Sequence, residues 1–263
     1  MSLISLIEAE GVRYGREDSF KMSTGTLQTT RFLLGVPTQQ IAPDRILLWC
    51  DVLGMPNRLK TAFAGHLAGA NMVGFGLEEN RGRGFYKLYL EFWEQVRHRV
   101  RRTRQTDPLL LHIGFKWRAE GDATDGRITR YMCFPLLPTH DILNRIGQVY
   151  ANAVTRTGPE MVMGIVRRAA AAHPETLFLY TEATEEGNAR TAFDVNLYKS
   201  DLTMGDIESY LLGLRQHYGL PESQFLPLIG RIGPNLLGHV SGSLDQAGND
   251  ATTLYYETRS LDL

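Results

Sequence analysis

The chain has 263 residues, of which 43% are hydrophobic and 22% charged, with a formal net charge of −1. It can form one large domain with a substantial core, and it lacks the global basic excess expected of a nucleic-acid-binding protein. Two distant cysteines, Cys50 and Cys133, argue against a disulfide framework or a zinc knuckle, since neither lies in a Cys-x-x-Cys pair.

The opening "MSLISLIEAE" has no basic n-region and soon meets Glu8 and Glu10, so it does not read as a signal peptide. No apolar run approaches the ~18 residues of a membrane span. The expectation is a cytoplasmic protein with neither a membrane nor a nucleic-acid partner. Along the chain one unit recurs: two alternating runs around a polar turn, then a helical stretch. "EDSFKMS" and "TRFLLGV" flank "TGTLQT", and Asp44 and Asn57 read as N-caps for "RILLWCDVL" and "RLKTAFAGHLAGA". "NMVGFGLE" and "FYKLYLEFW" flank "ENRGRG" and lead into the helical "EQVRHRVRRTR". The basic run Arg97 to Arg104 reads first as a solvated helix end, and second as a docking patch for an anionic partner.

The third pair, "LLLHIGFKWRAE" and "RITRYMCFPL", surrounds "GDATDG". Thr139 then opens "HDILNRIGQVYANAV", and Pro159 suits the first turn of "EMVMGIVRRAAAA". "TLFLYTEA" and "ARTAFDVNLYKS" surround "TEEGN". Thr203 and Asp206 form a variant capping box for "DIESYLLGLRQHY", which Gly219 and Pro221 end. The last pair is "LLGHVSGSL" and "TTLYYET" around "DQAGND". Five hairpins separated by helices predict ten antiparallel strands, and no G-x-G-x-x-G follows a strand to suggest a parallel nucleotide-binding sheet. The whole chain, 1–263, reads as a single domain.

Alternation sorts the strands into two faces. Phe20, Met22, Phe32, Leu34, Val36, Val73, Phe75, Leu88, Leu90, Ile113 and Phe115 belong to the face that helices must cover. The second face collects Glu17, Ser19, Lys21, Arg31, Lys87, Tyr89, Glu91, His112, Lys116, Tyr131, Cys133, Asp194, Tyr198 and His239. Gly35, Gly74 and Gly76 on that face suggest open space, and Tyr255 joins it subject to a one-residue ambiguity in "LYYE". The pattern alone leaves two readings open. In one, an open sheet has a wet face and these residues need no explanation. In the other, the sheet closes, and its enclosed cations and phenols anticipate a phosphate-bearing ligand. Among the histidines, His66, His98, His140, His173 and His217 read as incidental, and no two are spaced as a metal pair on one helix turn.

The stretch "REDSFKMSTGTLQTTRFLLGV" resembles the prenyltransferases of cyanobactins and related ribosomal peptides, which have the ABBA (α-β-β-α) fold. Looser matches follow in order: "GFGLE…YKLYLEF", "HIGFKW…ITRYMCF", "LFLYTEATEEGNARTAFDVNLYKS" and "LYYETRS". The resemblance spans nearly the whole chain and rests on order and spacing rather than on one signature. It implies an α+β ABBA barrel of about ten antiparallel strands ringed by helices. It also implies transfer of a dimethylallyl or geranyl group from its diphosphate to a linear or cyclic peptide.

By the same resemblance Glu17 is the first-strand carboxylate that takes a proton from the acceptor, and Arg31 and Lys87 grip the diphosphate. Tyr131 and Tyr198 belong to a tyrosine screen over the allyl group. Alternation adds Tyr89 and Tyr255 to the screen and Lys116 to the diphosphate cations. Glu91, Asp194 and His239 are candidate acceptor-binding groups, and the extra acids suggest a cationic acceptor such as an arginine guanidine. Structural pairing with Lys21 or Lys116 explains them equally well. No Asp-Asp-x-x-Asp motif occurs, so Mg2+ can accompany the diphosphate without a dedicated protein site. Compared with the family the chain is short before Glu17, which suggests an open barrel mouth able to admit a peptide. The rival readings are a non-catalytic barrel that carries an isoprenoid or anionic small molecule, and a scaffold that uses the basic run to hold an acidic precursor peptide.

Overall fold

The computed structural model describes residues 3–80, 83–103, 107–118 and 126–259. A short helix, α1 (Leu3–Ala9), precedes β1 (Gly15–Ser23), β2 (Thr26–Gln28) and β3 (Arg31–Pro37). The remaining strands are β4 (Met72–Asn80), β5 (Arg83–Glu91), β6 (Leu109–Arg118), β7 (Arg127–Phe134), β8 (Leu179–Glu185), β9 (Asn188–Asn196), β10 (Leu237–Leu244) and β11 (Asp250–Arg259). From β3 to β11 each strand pairs antiparallel with the next. β1 joins β3 on one side and β11 on the other, so ten strands close into a barrel without a free edge. β2 is a three-residue arm on β1, within a stretch that reads as a plain turn in the sequence. The turn "GDATDG" lies mostly outside the described residues, as do Arg81, Gly82 and Arg104.

Helices fill the connections at the other end of the hairpins: α2 (Pro43–Val52) and α3 (Asn57–Leu67), α4 (Trp93–Thr103), α5 (Thr139–Val149) and α6 (Thr157–Ala172), α7 (Glu208–His217) and α8 (Glu222–Ile232). Asp44 is not the N-cap of α2. Pro43 occupies the first helical turn, where its fixed φ and missing N–H are harmless, so the helix starts earlier and Asp44 sits within that turn. In α3 the extended Pro56, at ψ 139°, is the cap, and Asn57 is the first helical residue rather than the cap. The Thr203–Asp206 box does form: Thr203 N donates to Asp206 Oδ2 at 2.8 Å, and Asp206 N donates to Thr203 Oγ1 at 3.3 Å. Gly219, at φ +63°, follows α7 as expected. Helix α8 carries Pro227 inside it and is held by the buried stripe of Phe225, Leu228, Ile229 and Ile232. Among the described residues no helix is long and apolar enough to cross a membrane.

The outward face of the barrel is the core. Phe20, Met22 and Val240 pack under α5 to α8, whereas Leu34, Val73, Phe75, Leu88 and Phe115 pack under α1 to α3. Each such fully buried side chain contributes about 1.5–3 kcal/mol. Cys133 lies on the inward face, as alternation requires, but in an apolar cluster with Leu109, Leu111 and Val96 of α4. Burial pushes its thiol up to about 11.

His217 is not incidental. Its Nε2 lies 2.8 Å from Asp250 Oδ1, and the Tyr218 hydroxyl donates to Asp250 Oδ2 at 2.6 Å. Gly158 of α6 presses on this buried pair: a Cβ there would fall 2.1 Å from Asp250 Oδ2 and 2.5 Å from His217 Nε2. Gly158→Ala must therefore displace a hydrogen-bonded carboxylate. The expected cost is about 1–3 kcal/mol or more, read as a fall in Tm of several degrees with the barrel chemistry unchanged. An unaltered Tm would show that the network has room to relax.

Candidate active site

Closure turns the second face of every strand into a lumen. On β3 and β4 the facing pairs are Arg31 with Glu78 and Leu33 with Gly76. On β4, β5 and β6 they are Gly76 with Lys87 and Lys87 with Lys116. The three predicted cations thus meet, and Glu78 lies between them. Arg31 Nη1 donates to Glu78 Oε2 at 2.6 Å, Lys87 Nζ pairs with the same oxygen, and Lys116 Nζ donates to Oε1 at 2.9 Å. Arg31 Nε also reaches Ser19 Oγ at 3.4 Å.

Arg31 is 7% exposed, and the Lys116 side chain, at 35%, is the most open of the three cations. Burial alone would raise the Glu78 carboxyl, but the charges of Lys87, Arg31 and Lys116 outweigh it and hold Glu78 far below the usual carboxylate range. Burial and the adjacent Arg31 charge push the Lys87 ammonium down to about 7, against the pull of Glu78. A small cavity opens here, lined by Arg31, Lys87, Tyr89 and Tyr255 together with Ser19 and Leu33.

An aromatic layer adjoins the cations. The Tyr89 and Tyr131 rings lie 5.9 Å apart and share a hydrogen bond, and Tyr255 sits against Arg31. Burial raises the Tyr89, Tyr131 and Tyr255 phenols above their ordinary range, so each remains a neutral donor. Gly114 of β6 makes this layer possible. A Cβ there would meet Tyr89 Cε1 at 3.0 Å and Tyr131 Cε2 at 3.2 Å. Gly35 and Gly74 are packed over, and Gly76, although it lines the small cavity, has close neighbours where a side chain would start. Met72 fills the position over Gly35, Leu33 and Tyr89 that over Gly74, and Lys87 that over Gly76.

Glu17 belongs to a second group. The Tyr198 hydroxyl donates to its Oε1 at 2.5 Å, and His239 Nε2 lies 3.6 Å from the same oxygen. His239 Nδ1 donates to Asp194 Oδ1 at 2.7 Å. Burial opposes charge on this imidazole, yet Asp194 and Glu17 raise it to about 9, so it is an imidazolium at neutral pH. Tyr198 is not on a strand: β9 ends at Asn196, and a 3-10 turn over Tyr198–Ser200 swings the phenol back to Glu17. Tyr198 therefore meets the carboxylate, whereas Tyr89, Tyr131 and Tyr255 lie nearer the cations.

Glu91 is paired structurally. His112 Nε2 lies 3.3 Å from its Oε2, and Asn71 Nδ2 donates to Oε1 at 3.0 Å. Burial works to raise Glu91, and these partners overcome it and lower it. Neither Asp194 nor Glu91 takes its described partner from Lys116, which belongs to Glu78. Glu78 is the residue that sequence reasoning missed. Continuing the alternation of "MVGFGLE" past Leu77 would have placed it inward, but the sequence pattern there runs into the polar "ENRGRG", whereas β4 continues to Asn80.

Such a barrel, with cations and phenols enclosed by strands and helices outside, is the architecture of the ABBA prenyltransferases. No family model and no curated protein matches the sequence. Among solved structures, 5-dimethylallyltryptophan synthase from Streptomyces coelicolor is similar at TM-score 0.59 and 13% identity, over 92% of this chain and 80% of that one. The prenyltransferase PriB is similar at TM-score 0.59 and 12% identity, over 93% and 80%. The prenyltransferase NotF is similar at TM-score 0.56 and 13% identity, over 94% and 81%, and has also been solved with brevianamide F and DMSPP. The likeness defines the fold.

Proposed function

We propose that the chain transfers a dimethylallyl or geranyl group from its diphosphate to a side chain or terminus of a peptide, a cyclic ribosomal product being the fitting acceptor. The observation that carries this reading is the convergence of Arg31, Lys87 and Lys116 beside Tyr89, Tyr131 and Tyr255, inside a prenyltransferase-type barrel. Breaking the C1–O bond of an allylic diphosphate leaves a delocalised cation and a pyrophosphate anion. The three cations stabilise charge on the leaving group, the electrostatic contribution that usually dominates. Each phenol face stabilises the allyl cation by about 0.5–2 kcal/mol.

The acceptor nucleophile then bonds to the allyl carbon and its proton passes to Glu17, while the barrel wall keeps out water that would otherwise give an alcohol. Among the described residues no group of three or more His, Cys, Asp and Glu side chains could hold a metal ion alone. Arg31, Lys87 and Lys116 suit a direct cationic grip on a diphosphate, which leaves room for Mg2+ carried in with the donor.

Incubation with both donors and a mixed peptide library tests the proposal. Pyrophosphate release matched by prenylated peptide supports it. Donor binding without release supports the non-catalytic carrier instead. Within the library, Glu17 and Asp194 outnumber the single imidazolium of His239 that they share, and this net negative charge favours a cationic side chain in the acceptor half. In a panel of Tyr, Trp, His and Arg peptides the Arg peptide is therefore expected to gain mass, and no Arg adduct would dismiss that preference. Gly114→Val pushes Tyr89 and Tyr131 off β6 and admits water. The ratio of prenyl alcohol to prenylated peptide should rise roughly tenfold with the fold intact. An unchanged ratio would remove the tyrosine layer from the account.

A further inference from the structure

We infer that Glu78 is a built-in competitor of the donor's diphosphate, occupying the hydrogen-bond donors of Arg31 and Lys87 that the diphosphate needs. The inference rests on reading that cluster as the diphosphate seat. Three cations gathered in a barrel interior repel one another and lose hydration, so a counter-ion is required for the fold to hold them. Glu78 supplies it from β4, at the register position opposite Arg31.

Its two oxygens are divided: Oε2 serves the buried Arg31 and Lys87, and Oε1 serves the more open Lys116. A diphosphate oxygen arriving at Arg31 and Lys87 meets a carboxylate already there and repels it. The side chain can yield those two cations while keeping Lys116. Donor and product pyrophosphate thus bind only after a charge-assisted pairing has been surrendered, and the pairing re-forms as pyrophosphate leaves. Glu78 lowers affinity for both, and so limits product inhibition in a site with three cations.

The test is calorimetric titration of inorganic pyrophosphate into the wild type, Arg31→Gln, Glu78→Gln, Lys116→Gln and the double variant Glu78→Gln/Lys116→Gln. The double variant retains the wild-type balance of charge with the carboxylate gone. It therefore guards against a misfolded single variant and separates competition from net charge. Removing the carboxylate should tighten pyrophosphate binding roughly 10- to 100-fold, both from wild type to Glu78→Gln and from Lys116→Gln to the double variant, the equivalent of one charge-assisted hydrogen bond no longer given up. A double variant that binds no more tightly than Lys116→Gln would overturn the inference and leave Glu78 as a group that merely keeps the cations charged. Wild-type binding that Arg31→Gln abolishes but Glu78→Gln improves in neither background would overturn the competitor alone. No binding by any of the five proteins would overturn the seat as well.

Discussion

Lys87→Met should reduce kcat/KM for the isoprenyl donor by about 10²–10³-fold, the usual cost of removing one preorganised donor at a developing oxyanion. The fold should persist, because Glu78 keeps Arg31 and Lys116 as partners. Lys87 also sets a pH dependence. With its ammonium pushed down to about 7, the cation is present below that pH and lost above it. A diphosphate binds the protonated form, so binding takes up a proton above pH 7. Apparent donor affinity should then weaken by about tenfold per pH unit until the bound-state pKa is reached. In Lys87→Met this slope should vanish. A wild-type profile flat from pH 6 to 9, with full activity in Lys87→Met, would remove Lys87 from the diphosphate seat.

Glu17→Gln should have an effect of similar size on a different step. A lost general base costs roughly 10²–10⁴-fold. Glu17 faces Leu33 across the sheet, which makes Arg31 its diagonal neighbour at about 7–8 Å. Glu17 and the cluster of Arg31, Lys87 and Lys116 are therefore separate groups in one lumen. Single-turnover prenylation should fall by the full factor while affinity for pyrophosphate stays within about twofold. A loss of pyrophosphate affinity equal to the loss of turnover would place Glu17 in donor binding instead. His239 and Tyr198 both contact Oε1 of Glu17 and so fix its orientation in the lumen.

The barrel was legible in the sequence because each hairpin repeats a period of two, and helices must cover the apolar set. That logic placed Arg31, Lys87, Tyr89, Tyr131 and His239 inward, and closure settled "LYYE" by turning Tyr255 to the lumen and Tyr256 to the core. It failed where the period stops. Tyr198 lies beyond the end of β9, so only the 3-10 turn explains its return to Glu17. Glu78 lies in a polar stretch near the end of β4 and Arg31 and Lys116 are distant in sequence, so its place as a shared counter-ion emerges only from register. Helix α8 was hidden by Pro227, although Phe225, Leu228, Ile229 and Ile232 have helical spacing. Glycines were legible as small but not as filled. Whether Leu33, Tyr89 or Lys87 occupies the space above Gly74 and Gly76 depends on strands the local sequence does not contain.

Titration of an unreactive dimethylallyl thiodiphosphate into the wild type and into an Arg31→Gln/Lys87→Met variant tests the diphosphate seat most directly. The account predicts one molecule bound per barrel, displaced by inorganic pyrophosphate, with affinity lost at least about 100-fold in the variant. Equal binding by both proteins would contradict it.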